Sequence, residues 1–369
     1  MAARFFGGGF ASGAVTSVAL YSLYAYVLKP FNTEPRLKRT TKEVPPKLED
    51  SKDILRYGAP DRGPDVRYYS NHALSYDRSK KTPLWVAEHI TQADLQGPAH
   101  RKHSNFVMDP NIQAPFASQN SDYKRSGWSR GHMAPAGDNK YSQAAMDESF
   151  YLSNIVPQDV NNNGNFWHRI EIYCRSLAKR YKDVWVITGP LALPTLEEGG
   201  KKYVKYEVIG KNNVAVPTHL YKLITVVLPP VDGNKSDTSS TNETVAVGAF
   251  VVPNEPIPVE RHLKDFQVSL ENLTESAGLH FLSNLQPSVT VRNLCDVDSC
   301  KLITQQQLQL HIIGRRLEGA TTLPKLEDSW RQLEEWHLEP DDNLWQLYQR
   351  RRVELEETSK QKPNRTDSI

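Results

Sequence analysis

The pattern of hydrophobic and polar positions predicts a sheet in the middle of the chain. The segments VRYYSNHALSYD and TPLWVAEHI flank the polar RSKK and are rich in β-branched and aromatic residues, which is typical of a β-hairpin. Further along, DVWVITGP, NVAVPTHLYKLITVVL and TVAVGAFVVP predict more strands, and the polar PPVDGNKSDTSSTNE between the last two predicts a loop. We expect order to begin near Val66, with a mainly antiparallel sheet.

Helical spacing of apolar residues appears in two other parts of the chain. One helix is predicted at about residues 164–182, where the apolar positions are Phe166, Ile170, Tyr173 and Leu177. Near the C-terminus, LEDSWRQLEEWHL is stopped by Pro340, and NLWQLYQRRRVELEE follows with Asp341 or Asp342 as its cap. Residues 358–369 are predicted to be disordered. The fold class is therefore α+β, with a small C-terminal helical appendage over residues 295–369.

The N-terminal segment has the length and composition of a membrane anchor. No residue from Phe5 to Leu28 is charged, and this run exceeds the ~20 residues of a transmembrane helix and the ~7–15 of a signal's apolar core. No acidic residue precedes Glu34, as in mitochondrial presequences. We predict an uncleaved anchor in residues 1–30, with a cleaved secretory signal as the alternative. Residues 31–60 are polar and proline-containing, which predicts a linker.

Composition limits the partners and the redox chemistry. The chain has 369 residues and a formal net charge of only +2, so any surface that binds phosphates must be local. Its three cysteines imply no disulfide framework, and Cys295 and Cys300 lack the second pair that a structural zinc site needs. We expect them to be ordinary thiols.

The stretch SGWSRGHMAPA places His132 among small residues, where a large ligand can reach its ring. Downstream, Asn163, Trp167 and Glu171 have the i, i+4, i+8 spacing of one helix face. Asn163 would lie at the helix N-terminus, which favours phosphate, and Trp167 is expected in the core. A hydrated Mg²⁺ suits such a site because it needs only one or two ligands from the protein.

Several motifs in a fixed order resemble a known family. SRGHMAP, NIVPQ and NNNGNFWHRIE are similar to the DRGH signature and following helix of the non-specific DNA/RNA nucleases of the ββα-metal (His-Me finger) type. The resemblance is greatest to the mitochondrial endonuclease G group and its exo/endonuclease G branch, which the tail NLCDVDSCKL also resembles. It extends from about Tyr68 to Pro253 and implies a ββα-metal nuclease domain at residues 61–294.

The resemblance also implies a role for each site residue. His132 would take a proton from the attacking water, and Asn163 would ligate Mg²⁺ directly, with Mn²⁺ as a possible substitute. Glu171 would hold a water of the hydrated ion. Asn154 would orient either the histidine or the phosphate. Arg101 would neutralise the scissile phosphate through its planar guanidinium.

One position departs from the family pattern, because Ser129 stands where the family usually has Asp. The departure removes a negative charge beside the base and leaves the balance of internal and end cleavage open, and the branch resemblance favours ends. The chain is thus expected to be an Mg²⁺-dependent phosphodiesterase acting on DNA, with RNA as a further substrate. Single strands or 5′ ends are its expected preference, and a homodimer in the mitochondrial inner membrane its expected state.

Three alternatives remain from the sequence. The first is a plain endonuclease of the endonuclease G type, the second a catalytically silent membrane-bound nucleic-acid tether, and the third a secreted scavenging nuclease. The appendage also has two interpretations. Its aromatic residues and the run Arg350, Arg351 and Arg352 suit either single-stranded nucleic acid or simple packing of helices on the core.

Overall fold

The computed structural model describes residues 53–60, 66–229 and 243–360. The predicted anchor, most of the predicted linker and nearly all of the loop PPVDGNKSDTSSTNE lie outside these residues, as does the segment 361–369. Within the described ranges, no helix has both the length and the apolar character to cross a membrane.

The strands of the described residues lie mostly in one large sheet. In chain order they are β1 (Val66–Tyr68), β2 (His72–Asp77), β3 (Thr82–Thr91), β4 (Ser129–His132), β5 (Ile155–Gln158), β6 (Asp183–Leu191), β7 (Thr195–Leu196), β8 (Lys202–Tyr203), β9 (Val208–Ile209), β10 (Val214–Ala215), β11 (His219–Val227), β12 (Thr244–Pro253), β13 (Gln267–Val268) and β14 (Thr290–Asn293). The main sheet has eight strands in the order β1-β2-β3-β6-β11-β12-β13, with β14 also paired to β12. Only the β12–β14 pair in that sheet is parallel, so the predicted antiparallel character is confirmed.

The α-helices of the described residues lie between these strands or after the last of them. They are α1 (Asn120–Tyr123), α2 (Gln143–Ser149), α3 (Val160–Gly164), α4 (Phe166–Tyr181), α5 (Leu270–Ala277), α6 (Leu294–Val297), α7 (Gln305–Gly319), α8 (Leu323–Glu335) and α9 (Asp342–Lys360). Short 3-10 turns occur at Arg101–His103, Ala114–Phe116, Ala136–Asp138, Leu152–Asn154 and Leu263–Phe266. The mixed α and β composition agrees with the predicted class.

One predicted hairpin is present, and one predicted strand segment is divided into two strands. The hairpin predicted around RSKK is present as β2 and β3, which pair antiparallel. The long segment NVAVPTHLYKLITVVL is divided into β10 and β11 by Pro217. Proline has no backbone N–H to donate to a sheet, so it ends one strand before the next begins.

The sheet is covered on both faces. Helix α4 packs on one face in the main core, with Phe166, Ile170 and Leu177 buried against Val186 and Ile224. The spacing of its apolar residues therefore predicted the buried face of α4 correctly. Such burial of large apolar side chains is the main stabilising contribution to the fold.

The opposite face is covered partly by residues that we had assigned to the linker. Ile54 and Tyr57 are buried there with Trp185, and the Trp185 indole N–H donates to the Asp53 carbonyl at 2.8 Å. Order thus begins before Val66. Ile54 and Tyr57 are buried in this cluster, and Leu55 and Ala59 pack against it although the segment around them is polar.

The expectation that Cys295 and Cys300 are free thiols is wrong, because they form a disulfide. Their Cα atoms are 5.0 Å apart, and both residues are buried in the main core. The chain turns back on itself between α6 and α7, which brings together two cysteines that the sequence separates by five positions. Cys174 is free and buried.

The C-terminal helices α7, α8 and α9 share a hydrophobic cluster of their own, which includes Ile313, Leu317, Leu326, Leu333 and Leu344. The sequence predicted α8 and α9 but not α7, whose polar QQQ start hides its apolar positions. Helix α9 extends to Lys360, slightly beyond the predicted end of order.

Candidate active site

The motif that carries His132 folds as a small hairpin followed by a helix. Strands β4 and β5 pair antiparallel, with His132 opposite Ile155 and Ser129 opposite Gln158, and α3 follows directly. Glycine is needed at position 131 because a Cβ there would lie 2.1 Å from Oε1 of Gln158. The hairpin and α3 together form a ββα unit.

The helix predicted at about residues 164–182 is present as α4, but the prediction that Asn163 lies on it is wrong. Helix α3 ends at Gly164, and Asn165 leaves the helical conformation with φ −124° and ψ −88° before α4 begins at Phe166. Glycine and asparagine both have low helix propensity, which permits the break. Asn163 therefore lies on a different helix from Trp167 and Glu171, and Trp167 is fully buried core, as expected.

Two neighbouring asparagines on α3 have different tasks. The buried Asn162 donates from Nδ2 to the carbonyls of Pro253 and Glu255 at 3.0 and 2.9 Å, which fixes α3 against the end of β12. Asn163 donates from Nδ2 to the Ser129 hydroxyl at 2.9 Å. Its Oδ1 accepts no hydrogen bond from the described part of the chain, so this oxygen is available to a ligand.

His132 is held in a neutral state between two aromatic rings. Its ring centroid lies 5.1 Å from that of Phe106 and 4.8 Å from that of Phe150. Burial, followed by the charges of Arg101 and Arg130, lowers the pKa of His132 to about 3. A neutral imidazole can accept a proton, which is the first requirement of a general base.

Asn154 is buried and forms hydrogen bonds with the backbone around His132. Its Oδ1 accepts from the Ala134 N–H at 2.9 Å, while Nδ2 donates to the carbonyls of Ala134 and Ser149 at 2.9 and 2.8 Å. These three bonds use both N–H donors of the Asn154 amide and occupy its oxygen. Of the two roles that the resemblance left open, this geometry favours orientation of the histidine loop over contact with phosphate.

Arg101 and Arg130 bring positive charge to the entrance of the site. The Cζ of Arg101 lies 5.6 Å from the Phe150 centroid and that of Arg130 lies 4.3 Å from the Phe106 centroid. Arg130 also donates to Oδ1 of Asn120 at 2.7 Å. Both arginines border a cleft of about 520 Å³ whose lining is Arg101, Phe106, Asn120, Tyr123, Lys124, Trp128, Ser129, Arg130 and Asn163.

Glu171 lies on α4 inside a group of buried charges. Burial raises the pKa of its carboxyl to about 7, against the opposing charges of Arg175 and Lys222. One turn further along the helix, Arg175 pairs with Asp138 at 2.8 Å, joining α4 to the turn that follows the His132 loop. Sequence reasoning missed Asp138 and Arg175, although the i, i+4 spacing of Glu171 and Arg175 was a readable signal.

The structure therefore brings the five predicted residues to one region, although not all of them line the cleft. Arg101 and Asn163 border it directly. His132 shares Phe150 with Arg101, and the charge of Arg101 acts on both His132 and Glu171. Asn154 is behind the histidine loop. The walls Phe106 and Phe150 carried no signal in the sequence.

The side chains present fit a hydrated divalent ion. Among the described residues no cluster of three or more His, Cys, Asp or Glu could enclose a metal. A Mg²⁺ ion that keeps most of its waters needs no such cluster. The amide oxygen of Asn163, which has no donor among the described residues, would suit such an ion as a hard oxygen ligand, and the Glu171 carboxylate would suit it through water.

The cleft thus brings together arginine charge and an amide oxygen that has no donor among the described residues, with a neutral histidine beside it, and these groups are typical of metal-dependent enzymes that hydrolyse phosphodiesters. Residues 50–288 match the family model described as DNA/RNA non-specific endonuclease, and the chain belongs to that family. It is thus a nuclease.

The relatives extend this similarity over nearly the whole chain. The chain is 46% identical over 352 residues to "Nuclease EXOG, mitochondrial" of Homo sapiens, covering 95% of this chain and 93% of that protein. It is 41% identical over 260 residues to "Mitochondrial nuclease" of Saccharomyces cerevisiae, covering 69% and 77%. A solved structure titled "Crystal structure of the EndoG/EndoGI complex: Mechanism of EndoG inhibition" matches with a TM-score of 0.60 and 40% identity, over 68% of this chain and 97% of that one.

Proposed function

We propose that the nuclease reaction is Mg²⁺-dependent hydrolysis in which His132 is the general base, on DNA and also on RNA. The observation that carries the proposal is the Asn163 amide, whose oxygen has no donor among the residues that the structure describes while its nitrogen donates to Ser129. Asn163 would hold the ion directly, and Glu171 would hold it through water. When bound, the ion offsets the charge that develops on the phosphate oxygens and the leaving group.

The protein groups perform the remaining work. His132, neutral because it is buried near two arginines, accepts the proton of the attacking water. Arg101 neutralises the phosphate through a planar fork that matches its oxygens. As phosphate compensates the arginine charges, the pKa of His132 rises and the ring becomes a stronger base. Asn154 acts through the histidine loop as a positioning residue.

Activity should disappear with EDTA and return with Mg²⁺, and Mn²⁺ should substitute for it. A catalytically silent tether would bind DNA with no cleavage under either condition. As a site control, Asn163→Ala should require more Mg²⁺ and turn over more slowly, while Asn161→Ala on the same helix, which is exposed, should match the wild type. Unchanged metal dependence in Asn163→Ala would place the ion elsewhere.

We further propose a preference for strand ends, because Arg101 lines a second cavity as well as the cleft. This cavity, of about 170 Å³, is lined by Arg101, Lys140 and residues of the loops at 97–100 and 136–137, and helix α7 supplies Arg315 and Glu318. Burial, then the charges of Arg101 and Arg175, lowers the pKa of Arg315. No carboxylate lies within 4 Å of Arg315 in the described ranges. Arg315 is thus a partly buried arginine without an ion-pair partner among the described residues, and its place in the wall of this cavity suits a phosphate at the end of a strand.

The tryptophans of the appendage are better explained by packing. The Trp330 ring centroid lies 4.4 Å from that of Tyr348 and 5.4 Å from that of Trp345. Arg351 and Arg352 pair with Glu354 and Glu356 on their own helix. Arg350 shares Glu354 with Arg351, so each arginine of the run has an acidic partner on its own helix, and the end preference is assigned to Arg315 instead.

End-labelled DNA tests this assignment with a matched pair of variants. Arg315→Ala should shift products from short terminal fragments toward internal cuts, and should lower the salt dependence of binding because one phosphate contact is lost. Arg316→Ala is the control, because that neighbour bonds Gln332 on the outside of the appendage. Equal product patterns in both variants would favour the plain endonuclease alternative.

We also propose a homodimer anchored in the mitochondrial inner membrane by residues 1–30. The relatives whose names include "mitochondrial" support the compartment. Exposed apolar side chains between β7 and β9 suit a second copy, namely Leu196, Tyr203, Val204, Tyr206 and Val208. Carbonate-resistant association with mitochondrial membranes and a dimeric mass in light scattering are the expected results. A shortened, secreted monomer would contradict both.

A further inference from the structure

Ser129 makes two hydrogen bonds of opposite direction beside the proposed metal ligand. Its Oγ donates to the backbone carbonyl of Gln158 at 2.8 Å and accepts from Nδ2 of Asn163 at 2.9 Å. The first bond links β4 to β5 and the second links β4 to α3. A serine hydroxyl has one proton, and Gln158 uses it.

That single proton determines which way the Asn163 amide faces. If the amide turned over, its oxygen would face an Oγ that has no proton left to give, and two acceptors would oppose each other. The amide nitrogen must therefore face Ser129, and the amide oxygen faces away from it. The Gln158 carbonyl can only accept, so it fixes the direction of the Ser129 hydroxyl, and that direction fixes the orientation of the Asn163 amide.

We infer that Ser129 is a positioning residue that locks the Asn163 amide with its oxygen toward the metal. The inference rests on the proposed metal role of Asn163. An aspartate, which the family usually has at this position, could accept from Nδ2 but has no proton for the Gln158 carbonyl. Serine satisfies both neighbours, so this chain orients its ligand by a neutral hydroxyl in place of a charge.

The test measures metal binding without turnover. Mn²⁺ is titrated into the full-length protein in the absence of nucleic acid, and free Mn²⁺ is followed by electron paramagnetic resonance. Ser129→Ala should weaken binding by about five- to tenfold, the effect of losing one orienting hydrogen bond. Ser129→Thr keeps the hydroxyl and should bind like the wild type. Ser126→Ala is the control, because among the described residues that hydroxyl bonds Tyr123 and Trp128 and not Asn163.

Kinetics supply a second, independent readout. Ser129→Ala should raise the Mg²⁺ concentration for half-maximal rate while kcat at saturating Mg²⁺ changes by less than about twofold, because a correctly turned amide is still selected by the bound ion. A merely structural role would lower kcat at every Mg²⁺ concentration.

The outcomes separate the inference from the proposal beneath it. Unchanged Mn²⁺ binding in Ser129→Ala, or equal losses in Ser129→Ala and Ser126→Ala, would overturn the positioning role while Asn163→Ala still binds poorly. If Asn163→Ala itself binds Mn²⁺ normally, the metal assignment fails and the positioning role fails with it.

Discussion

Replacing Asn154 by alanine separates a residue that supports the site from one that touches the substrate. The side chain satisfies three buried backbone groups, one N–H and two carbonyls. A buried polar group left without a partner costs about 1–3 kcal/mol, and carbonyls are the more tolerant kind. We therefore expect Asn154→Ala to lower the free energy of unfolding by about 4 kcal/mol.

The measurement is urea and thermal unfolding with turnover determined on the same preparations. For a chain of this size the loss corresponds to a decrease in Tm of roughly 5 °C. Turnover should fall as well, because the Ala134 backbone that follows His132 loses its support, while DNA binding by Arg101 should persist. Asn161→Ala is the matched control, since that exposed asparagine lies outside these bonds.

Asn154→Asp adds a pH dependence to the expected loss of stability. It keeps an oxygen for the Ala134 N–H but places a second oxygen against the two carbonyls. The protonated form can donate to one of them, so the folded protein raises the pKa of this carboxyl above its unfolded value. Stability relative to wild type should then be highest at acidic pH and decrease as pH rises through the raised pKa. An Asn154→Ala protein that unfolds within about 1 kcal/mol of wild type would refute the reasoning.

Three further results are expected. His132→Ala should lose about 10²–10⁴-fold in turnover with DNA affinity retained, measured by single-turnover cleavage and filter binding; near-normal turnover would exclude the base role. Because burial raises the pKa of Glu171 to about 7, Mn²⁺ affinity should increase as pH rises through that value and be nearly flat in Glu171→Gln; a parallel pH profile would exclude the carboxylate. A chain that starts at residue 56 should be about 3 kcal/mol less stable than one that starts at residue 47, because Ile54 and the Asp53 carbonyl leave Trp185; equal urea midpoints would contradict the docking.

Local patterns predicted the parts of the site that are local in the chain. The order of SRGH, NIVPQ and NNNGN indicated that His132 and Asn163 belong to one unit, which β4, β5 and α3 form, although the short helix α3 itself was not predicted. Periodicity also located the buried face of α4, because Ile170 and Leu177 repeat at helical spacing. What periodicity could not show was the break at Asn165, where backbone angles and not apolar spacing decide the outcome.

Other features depend on contacts between distant segments. The aromatic walls of His132 come from Phe106 and Phe150, which no spacing rule connects. The Cys295–Cys300 disulfide depends on a turn whose course is set by packing on the core. The sequence left two possible roles for Asn154, because the same amide can form hydrogen bonds with either the backbone or a phosphate, and only the structure shows its partners.

The docking of residues 53–60 decides where a pull on the N-terminal side of the chain is felt. Asp53 is bonded to Trp185 on β6, and Arg56 pairs with Glu243, directly before β12. Both strands are in the main sheet, and the buried side chains of the segment lie on the face away from α4. A force on the N-terminal side of the chain is therefore transmitted to β6 and to the start of β12, and the hydrogen-bonded strands of the main sheet resist it together. The β4–β5 hairpin, which carries His132, is a separate two-stranded sheet and receives neither of these two contacts.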